Sequence, residues 1–344
     1  MDATERFLKV CRREPVDRPP VWLMRQAGRY MSTYQAVRKR VSFMELCRTP
    51  ELCTEVTMMP IDQLGVDAAI LFSDILVPLE PMGAKVYFDG KGPHVEPPVR
   101  TVADIDRMRS TGVADDVGFV YEAVRQIKTA LGGRVPLLGF SGAPWTLATY
   151  LVEGGTSRNH HNLRELMYAE PEALEQLLEK LTTVIIEYLR HQIAAGADAV
   201  QLFDTWGGAL TEAQWRRFSG RFTTRVFEAL ADTGVPRIHF VQGGAHLLAA
   251  TAELPCEVLS VDWRQPLSEV LKVTGGRYAL QGNMDPGVLR APAPVIAQEV
   301  RSVMDSYGSG PGHIMNLGHG ITPDVTVDAA RAMVDTTQSY GASR

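Results

Sequence analysis

One repeating pattern constrains the fold of this chain more than any other feature of its sequence. Short runs of apolar, often β-branched residues alternate with longer amphipathic segments. Most runs are apolar at nearly every position, which is typical of strands buried on both faces of a parallel sheet. About eight such candidate strands occur, at residues 21–24, 67–72, 136–140, 199–203, 237–241, 258–261, 278–281 and 314–317.

Amphipathic helices are predicted between these strands. The clearest begins at Pro171 and ends near Gly196, with leucine, isoleucine and valine recurring on one face. A proline in the first turn and a glycine past the end are the usual boundaries of a helix. Further helices are predicted at about 211–230, 288–307 and 325–340.

Repeated β-then-α units imply either a (β/α)8 barrel or a doubly wound sheet, and the count of about eight favours the barrel. The chain has 344 residues, which is within reach of one such barrel. No Gly/Ser or Pro tract is long enough to be an interdomain linker. We therefore expect an α/β TIM-type barrel as a single domain over residues 1–344, with an inserted loop or hairpin around 83–98.

The composition disfavours several classes of function. The net charge is −5 and no basic block stands out, which argues against nucleic-acid binding. No apolar run approaches the ~20 residues needed to span a bilayer, and the N-terminus lacks the pattern of a signal peptide. The four cysteines have neither CxxC spacing nor a histidine placed to complete a zinc site. We expect no bound metal, no membrane or nucleic-acid partner, free thiols and a cytoplasmic location.

Polar side chains follow several of the predicted strands, at the end where a barrel builds its ligand site. Arg25 and Arg29 come directly after the first strand, four positions apart. Two planar, permanently charged guanidiniums suit a ligand with several carboxylates or phosphates. They share one face if this turn is helical, and can still point into one mouth if it is a loop pinned by Gly28. Other strand ends are followed by Asp74, Tyr150, Thr205 and His319.

Each of these residues also has an ordinary structural role open to it. The arginines can pair with nearby surface acids, and Asp74 is placed to cap a following helix. Tyr150 lies on an apolar helical face typical of the core, and Thr205 is typical of a turn. His319 lies between two glycines in a tight turn, which leaves its imidazole accessible and favours a ligand role over core packing.

Five segments carry a resemblance to a known family. They are 23–30 (LMRQAGRY), 72–76 (FSDIL), 139–150 (GFSGAPWTLATY), 281–286 (QGNMDP) and 316–320 (NLGHG). In this order they resemble the signatures of uroporphyrinogen decarboxylases, and the first and third are highly specific. The resemblance implies a (β/α)8 barrel, usually a homodimer, in haem and chlorophyll biosynthesis. It implies conversion of uroporphyrinogen III to coproporphyrinogen III by loss of CO2 from four acetate side chains, with no metal or organic cofactor.

The resemblance also implies roles for individual residues. Arg25 and Arg29 match arginines that bind substrate carboxylates, and Asp74 matches an aspartate that binds pyrrole N–H groups. These three are the predicted catalytic residues. Tyr150 and His319 match polar contacts around the macrocycle. The remaining predicted substrate-binding residues are Gln26, Ala27 and Gly28 of the same loop, Phe43 on the wall of the site, and Thr205, where many relatives carry serine.

The residues themselves fit a decarboxylation without a cofactor. Loss of CO2 leaves a carbanion, and a substrate pyrrole protonated on a ring carbon can accept its electrons. Our hypothesis is that Asp74 stabilises the cationic ring while Arg25 and Arg29 hold the carboxylates. Two rivals are a corrinoid-linked methyltransferase, which would use zinc with His/Cys ligands, and a tetrapyrrole carrier without turnover.

Overall fold

A computed structural model of the chain describes residues 1–90 and 92–343. Its helices are α1 (Ala3–Cys11), α2 (Ser32–Arg38), α3 (Phe43–Arg48), α4 (Pro50–Leu64), α5 (Val102–Arg107), α6 (Gly118–Leu131), α7 (Pro144–Glu153), α8 (His161–Ala169), α9 (Pro171–Ala194), α10 (Glu212–Trp215), α11 (Arg221–Ala229), α12 (Leu248–Thr251), α13 (Leu267–Thr274), α14 (Ala293–Tyr307) and α15 (Val327–Ala342). Its strands are β1 (Ala69–Ile70), β2 (Lys85–Asp89), β3 (Gly92–Glu96), β4 (Leu137–Gly142), β5 (Ala199–Asp204), β6 (Arg237–Val241), β7 (Val258–Ser260), β8 (Ala279–Gln281) and β9 (His313–Ile314).

A curled parallel sheet forms the centre of the fold. Seven strands pair in the order β1-β4-β5-β6-β7-β8-β9. The segment that begins at Val21 lies between the two outer strands of this order. The Trp22 N–H donates to the Met315 carbonyl at 3.2 Å, and the Asp67 N–H donates to the Val21 carbonyl at 2.7 Å. This segment closes the ring, so the predicted (β/α)8 barrel of the TIM type is confirmed.

The strands lie where the apolar runs predicted them, with differences at their ends. The run at 237–241 is β6 residue for residue. The run at 21–24, in contrast, makes a single parallel bridge from Val21 to Met315 instead of a ladder. The ladder stops because the Met24 N–H is taken by the Asn316 side-chain oxygen at 2.9 Å, immediately before the chain turns. This side-chain contact fixes where the first loop of the barrel mouth begins.

The helix predicted at about 171–196 is confirmed as α9, but the helix predicted at 211–230 is interrupted. A π turn, Arg216–Gly220, separates α10 from α11. The Trp215 ring packs on Gly220, where a Cβ would lie 2.5 Å from the ring, and the Trp215 Nε1–H donates to buried Asp204 at 3.0 Å. Tertiary contacts of one tryptophan therefore accompany the irregular turn inside an otherwise helical pattern.

The helix predicted from 288 begins later, at Ala293. Residues Pro286–Arg290 form a 3-10 turn, and Pro292 then takes the N-cap position of α14. Proline has no amide hydrogen and is favoured in the first turn of a helix, where that hydrogen has no partner, so Pro292 and Pro294 fit a helix that starts here. No helix within the described residues combines the length and apolarity that crossing a membrane requires.

An antiparallel hairpin lies between β1 and β4, in the segment where an insertion is predicted. Its strands β2 and β3 pair with Val86 opposite Val95. The Val95 N–H donates to the Gly154 carbonyl at the end of α7, at 3.0 Å. Phe88 of the hairpin contacts Phe43 of α3, with ring centroids 4.6 Å apart. The hairpin therefore extends the wall of the barrel beside the loop that follows β1.

Candidate active site

The loop after the first strand segment is an irregular turn, which decides between the two conformations that the sequence leaves open. Arg25 has a left-handed backbone with φ 62°. The Gln26 carboxamide is buried and spans the turn, because its Oε1 accepts from the Leu23 N–H at 3.2 Å and its Nε2 donates to the Ala68 carbonyl at 3.0 Å. Gln26 therefore holds the loop, and the side chains of Arg25 and Arg29 are exposed beside it.

The Arg25 side chain lies over the loop that follows β9. A Cβ on Gly320 would clash with Cδ of Arg25, so the arginine occupies space that only a glycine leaves. Within residues 1–90 and 92–343, neither Arg25 nor Arg29 forms an ion pair with a carboxylate of the protein. Both guanidiniums are therefore available to carboxylates of a ligand.

Asp74 is half-buried just beyond β1. Its Oδ1 accepts from the Leu76 N–H at 2.9 Å, so it caps a short turn, although no α-helix follows directly. Its other oxygen has no hydrogen-bond donor among the described residues. Burial raises the pKa of Asp74 to about 6, and the Leu76 amide and the charge of Arg25 oppose that rise. One oxygen of this carboxylate therefore caps a turn, and the other can accept a hydrogen bond from a ligand.

Arg25, Asp74, Tyr150 and His319 lie near one another. Burial raises the pKa of Tyr150, and the negative charge of Asp74 raises it further. Burial lowers the pKa of His319 to about 4, and the positive charge of Arg25 lowers it further. Since charge effects weaken with distance and screening, these groups share one region at the carboxyl ends of the barrel strands. At neutral pH it holds a neutral imidazole and a neutral phenol.

A wall of aromatic rings continues from this region. Phe43 contacts Phe72, which lies two residues before Asp74, with ring centroids 6.0 Å apart. The Tyr34 ring also packs against Phe72, with ring centroids 5.7 Å apart. Burial raises the pKa of Tyr34, and the charges of Arg38 and Arg29 oppose that rise, so both arginines lie on the side of Tyr34. The Arg38 guanidinium carbon lies over Phe43, 5.6 Å from the centre of its ring, whereas Arg25 lies near His319.

The other predicted residues lie in the loops of the mouth. Ala27 and Gly28 are half-buried, and a Cβ on Gly28 would lie 3.1 Å from the Arg25 carbonyl, which keeps this turn tight. Thr205 is half-buried in the turn after β5. Its hydroxyl has no hydrogen-bond partner in the part of the chain that the structure describes. A ligand contact by Thr205 therefore stays a prediction.

The loop after β7 lies beside His319, although none of its residues is predicted from the sequence to belong to the site. The Trp263 ring lies 6.3 Å from the His319 ring, and the Arg264 guanidinium carbon lies 3.8 Å from the centre of the Trp263 ring. Asp262 pairs with Arg264 at 2.6 Å. These residues directly follow the predicted strand at 258–261, so the same search for polar residues at strand ends would have found them.

Gly320→Ala tests the placement of Arg25. The new methyl group has to displace the flexible Arg25 side chain, while the backbone of residue 320 needs no glycine conformation. A lost charge-assisted hydrogen bond is worth about 1.5–3 kcal/mol, so we expect KM for a carboxylate-rich substrate to rise about tenfold or more with the melting temperature unchanged. The matched control is Gly310→Ala, whose methyl group meets no atom within 4 Å. Equal KM values for the two variants would contradict this placement.

The side chains at the mouth are suited to acid–base and electrostatic chemistry. They supply one raised-pKa carboxyl group, exposed guanidiniums, a phenol and an imidazole. In residues 1–90 and 92–343 no cluster of three or more His, Cys, Asp or Glu side chains is arranged to hold a metal ion. The four cysteines are free, and Cys11, Cys47 and Cys53 are buried.

Fold and site together define a (β/α)8-barrel protein whose mouth carries exposed arginines beside a half-buried carboxyl group. The family model described as "Uroporphyrinogen decarboxylase (URO-D)" matches residues 2–340. The uroporphyrinogen decarboxylase of Syntrophotalea carbinolica is 48% identical over 329 residues, 96% of each chain. That of Pelobacter propionicus is 49% identical over 338 residues, 98% of this chain and 99% of the relative. The chain belongs to the uroporphyrinogen decarboxylase family.

A solved structure supports the fold independently. A methyltransferase from Methanosarcina mazei matches with a TM-score of 0.83 over 99% of both chains, at 20% sequence identity. At this identity the likeness shows the barrel architecture alone. It carries no argument for the methyltransferase that we consider as a rival function.

Proposed function

We propose that this chain is a uroporphyrinogen decarboxylase, which removes CO2 from the four acetate side chains of uroporphyrinogen III to give coproporphyrinogen III. The observation that carries the proposal is the family match over residues 2–340. The proximity of Asp74 and Arg25 in one barrel mouth supports it. The product belongs to haem and chlorophyll biosynthesis, and the reaction needs no metal or organic cofactor because the substrate pyrrole supplies the electron sink.

In the proposed reaction, a proton first adds to a ring carbon of the pyrrole and makes the ring cationic. The bond between the acetate methylene and its carboxyl carbon then breaks, and its electron pair flows into the ring as CO2 leaves. A second proton adds to the methylene carbon and gives a methyl group, and the first proton leaves the ring carbon, which restores the neutral aromatic pyrrole. Asp74 stabilises the cationic ring by accepting hydrogen bonds from pyrrole N–H groups. It does so with Oδ2, which accepts no hydrogen bond from the described residues. This is preorganised electrostatic stabilisation.

Arg25 and Arg29 bind the carboxylates of the macrocycle in this proposal. Both are exposed, and neither forms an ion pair within the described residues. Their planar forks bind carboxylates through paired hydrogen bonds. Tyr150, Thr205 and His319 contact the macrocycle as uncharged groups, while Gln26, Ala27 and Gly28 shape the loop that carries the arginines. Phe43 packs beside the bound ring.

The pH dependence follows from the raised pKa of Asp74. The ionised carboxylate is the active form, and burial raises its pKa to about 6. We expect kcat/KM, which reports groups of the free enzyme, to fall about tenfold per pH unit below about pH 6. The pKa of His319 is lowered to about 4, so it stays neutral across this range. The residual activity of Asp74→Asn should not fall in this way below pH 6. If the fall persists in this variant, the titrating group is not Asp74.

A single incubation tests the proposed activity. Anaerobically reduced uroporphyrin is mixed with the purified chain, and the carboxylates left on the product are counted by chromatography. We expect products that have lost up to four carboxylates, with the same rate after exhaustive chelation. An unchanged substrate would favour the tetrapyrrole carrier. Activity that chelation abolishes would favour a metal-dependent enzyme such as the zinc-dependent methyltransferase.

We also propose that the chain works as a homodimer in the cytoplasm. The family resemblance implies the dimer, and four free cysteines fit a reducing compartment. Light scattering coupled to size-exclusion chromatography should give twice the chain mass of 37.9 kDa. A mass of one chain at micromolar concentration would contradict the dimer.

A further inference from the structure

One side of the barrel mouth is left out of the proposed site. The predicted site residues belong to the first strand segment, α3, α7 and the loops after β1, β5 and β9. The loops after β6, β7 and β8 supply none of them. The loop after β7 nevertheless carries a cation close to its strand end, Arg264, next to Trp263 and Asp262.

Arg264 is held from two directions. Its guanidinium carbon lies 3.8 Å from the centre of the Trp263 ring, and its Nη1 donates to Asp262 Oδ2 at 2.6 Å. Asp262 is itself buried and fixed, because it also accepts the Gly243 N–H at 2.9 Å and the Arg264 N–H at 2.9 Å. Stacking and pairing therefore fix the plane of the guanidinium before any ligand binds.

The side chain of Arg264 keeps binding capacity despite this pairing. It is 51% exposed. Nε and Nη2 donate no hydrogen bond to any residue within 1–90 and 92–343. A guanidinium carries five N–H donors, and of the guanidinium nitrogens of Arg264 only Nη1 donates to Asp262. An oriented fork with free donors loses little conformational entropy when a carboxylate binds to it.

Arg264 lies on the side of the mouth that holds His319. The centroids of the Trp263 and His319 rings lie 6.3 Å apart, and a Cβ on Gly318 would clash with the Trp263 backbone nitrogen. The two loops therefore pack directly against each other. Burial lowers the pKa of His319, the charges of Arg25 and Arg264 lower it further and the charge of Asp262 opposes the fall, so both members of the Asp262–Arg264 pair lie close enough to act on this histidine.

We propose that Arg264 is a third carboxylate-binding guanidinium of the mouth, in addition to Arg25 and Arg29. It binds a peripheral carboxylate of the macrocycle through the donors that Asp262 leaves free, on the side occupied by the loop after β7. The identity of the ligand rests on the proposed function. Arg264 contributes to substrate binding and not to the bond-breaking step.

Two measurements on Arg264→Gln test this inference. Binding of uroporphyrin, which is oxidised and not turned over, is followed by quenching of tryptophan fluorescence. KM and kcat are measured with uroporphyrinogen. We expect Kd and KM to rise about five- to tenfold, in line with the loss of one hydrogen bond to a charged group, while kcat changes less than about twofold. Arg264→Lys keeps the charge without the fork and should give intermediate values.

The matched control is Arg134→Gln. Arg134 is 49% exposed, close to the 51% of Arg264, and pairs with a carboxylate at 2.8 Å, although this partner, Asp62, is exposed whereas Asp262 is buried. Arg134 precedes β4 at the opposite end of the barrel. We expect wild-type Kd and KM from this variant. Equal losses in Arg134→Gln and Arg264→Gln, or no loss in Arg264→Gln, would overturn the inference. A fall in kcat alone would also overturn it, because it would assign Arg264 an effect on the chemical step.

The binding measurement separates this inference from the proposed function. A wild-type chain that binds uroporphyrin without decarboxylating uroporphyrinogen would refute the enzyme, while the Kd of Arg264→Gln would still decide the role of Arg264. A wild-type chain that decarboxylates its substrate while Arg264→Gln matches wild type would refute the role of Arg264 alone. Absence of uroporphyrin binding by the wild type would overturn the inference.

Discussion

Asp74→Asn is expected to lower kcat by about two to three orders of magnitude while the protein stays folded. The variant keeps the shape of the side chain and an oxygen that can accept the Leu76 N–H. It loses the negative charge that we propose stabilises the cationic ring. Removing one preorganised electrostatic partner costs about 3–4 kcal/mol of transition-state stabilisation. Steady-state kinetics with uroporphyrinogen measures this loss, and full turnover with unchanged KM would show that the charge is not needed.

Thermal unfolding provides the control for this variant. The pKa of Asp74 is raised to about 6 in the folded chain, above about 3.9 for an exposed aspartate. The folded state therefore binds the proton more tightly, and this contribution to stability is present below about pH 4 and lost as the pH rises through 6. Asn removes the buried charge, so the variant should unfold at the same or a higher temperature at pH 7.5. A marked decrease would contradict this assignment of the Asp74 environment.

Asp67→Ala is expected to lower the free energy of unfolding by about 3–5 kcal/mol. Asp67 is buried at the amino-terminal end of the barrel, where it accepts from Arg18 at 2.6 and 2.8 Å and from Arg6 at 3.3 Å. It also accepts the Val21 N–H at 2.9 Å and so links the first strand segment to β1. Alanine leaves two largely buried guanidiniums without this partner. Denaturant unfolding measures the change.

Asp62→Ala is the control for Asp67→Ala. Asp62 pairs with Arg134 at 2.8 Å, but the two side chains are 56% and 49% exposed. Exposed ion pairs contribute about 0–1 kcal/mol, so this variant should unfold nearly as the wild type does. Asp67→Ala should also keep its kcat below its unfolding transition, because Asp67 lies at the end of the barrel opposite the mouth. Equal losses of stability in the two variants would show that burial at Asp67 does not matter.

The sequence predicts the barrel well because the signal is repeated. Strands buried on both faces are rich in apolar residues, and β6 lies residue for residue at the predicted 237–241 even though it contains Arg237 and His239. The position of Asp74 next to a strand end follows from the same pattern, since parallel strands present their carboxyl ends together. Knowledge of the strand ends therefore yields the neighbourhood of Asp74 and His319 without any tertiary information.

The features that the sequence does not reveal depend on tertiary contacts. The role of Gln26 in holding the first loop comes from the Ala68 carbonyl, 42 positions away in the chain. The π turn before α11 involves Trp215 and its bond to Asp204. The orientation of Arg264 depends on its stacking against the Trp263 ring, which no sequence pattern reveals. Such long-range contacts override local preference, which is why the exact ends of helices and the partners of polar side chains need the structure.

A crystal structure of the chain with coproporphyrinogen, grown under anaerobic conditions, would show which side chains bind the macrocycle. We propose that the half-buried carboxylate beyond β1 binds the pyrrole N–H groups while arginines of the mouth bind the peripheral carboxylates. We therefore expect pyrrole nitrogens within hydrogen-bond distance of the Asp74 carboxylate and a propionate on Arg25. A macrocycle bound elsewhere, or bound in the mouth with no pyrrole nitrogen near Asp74, would contradict this proposal.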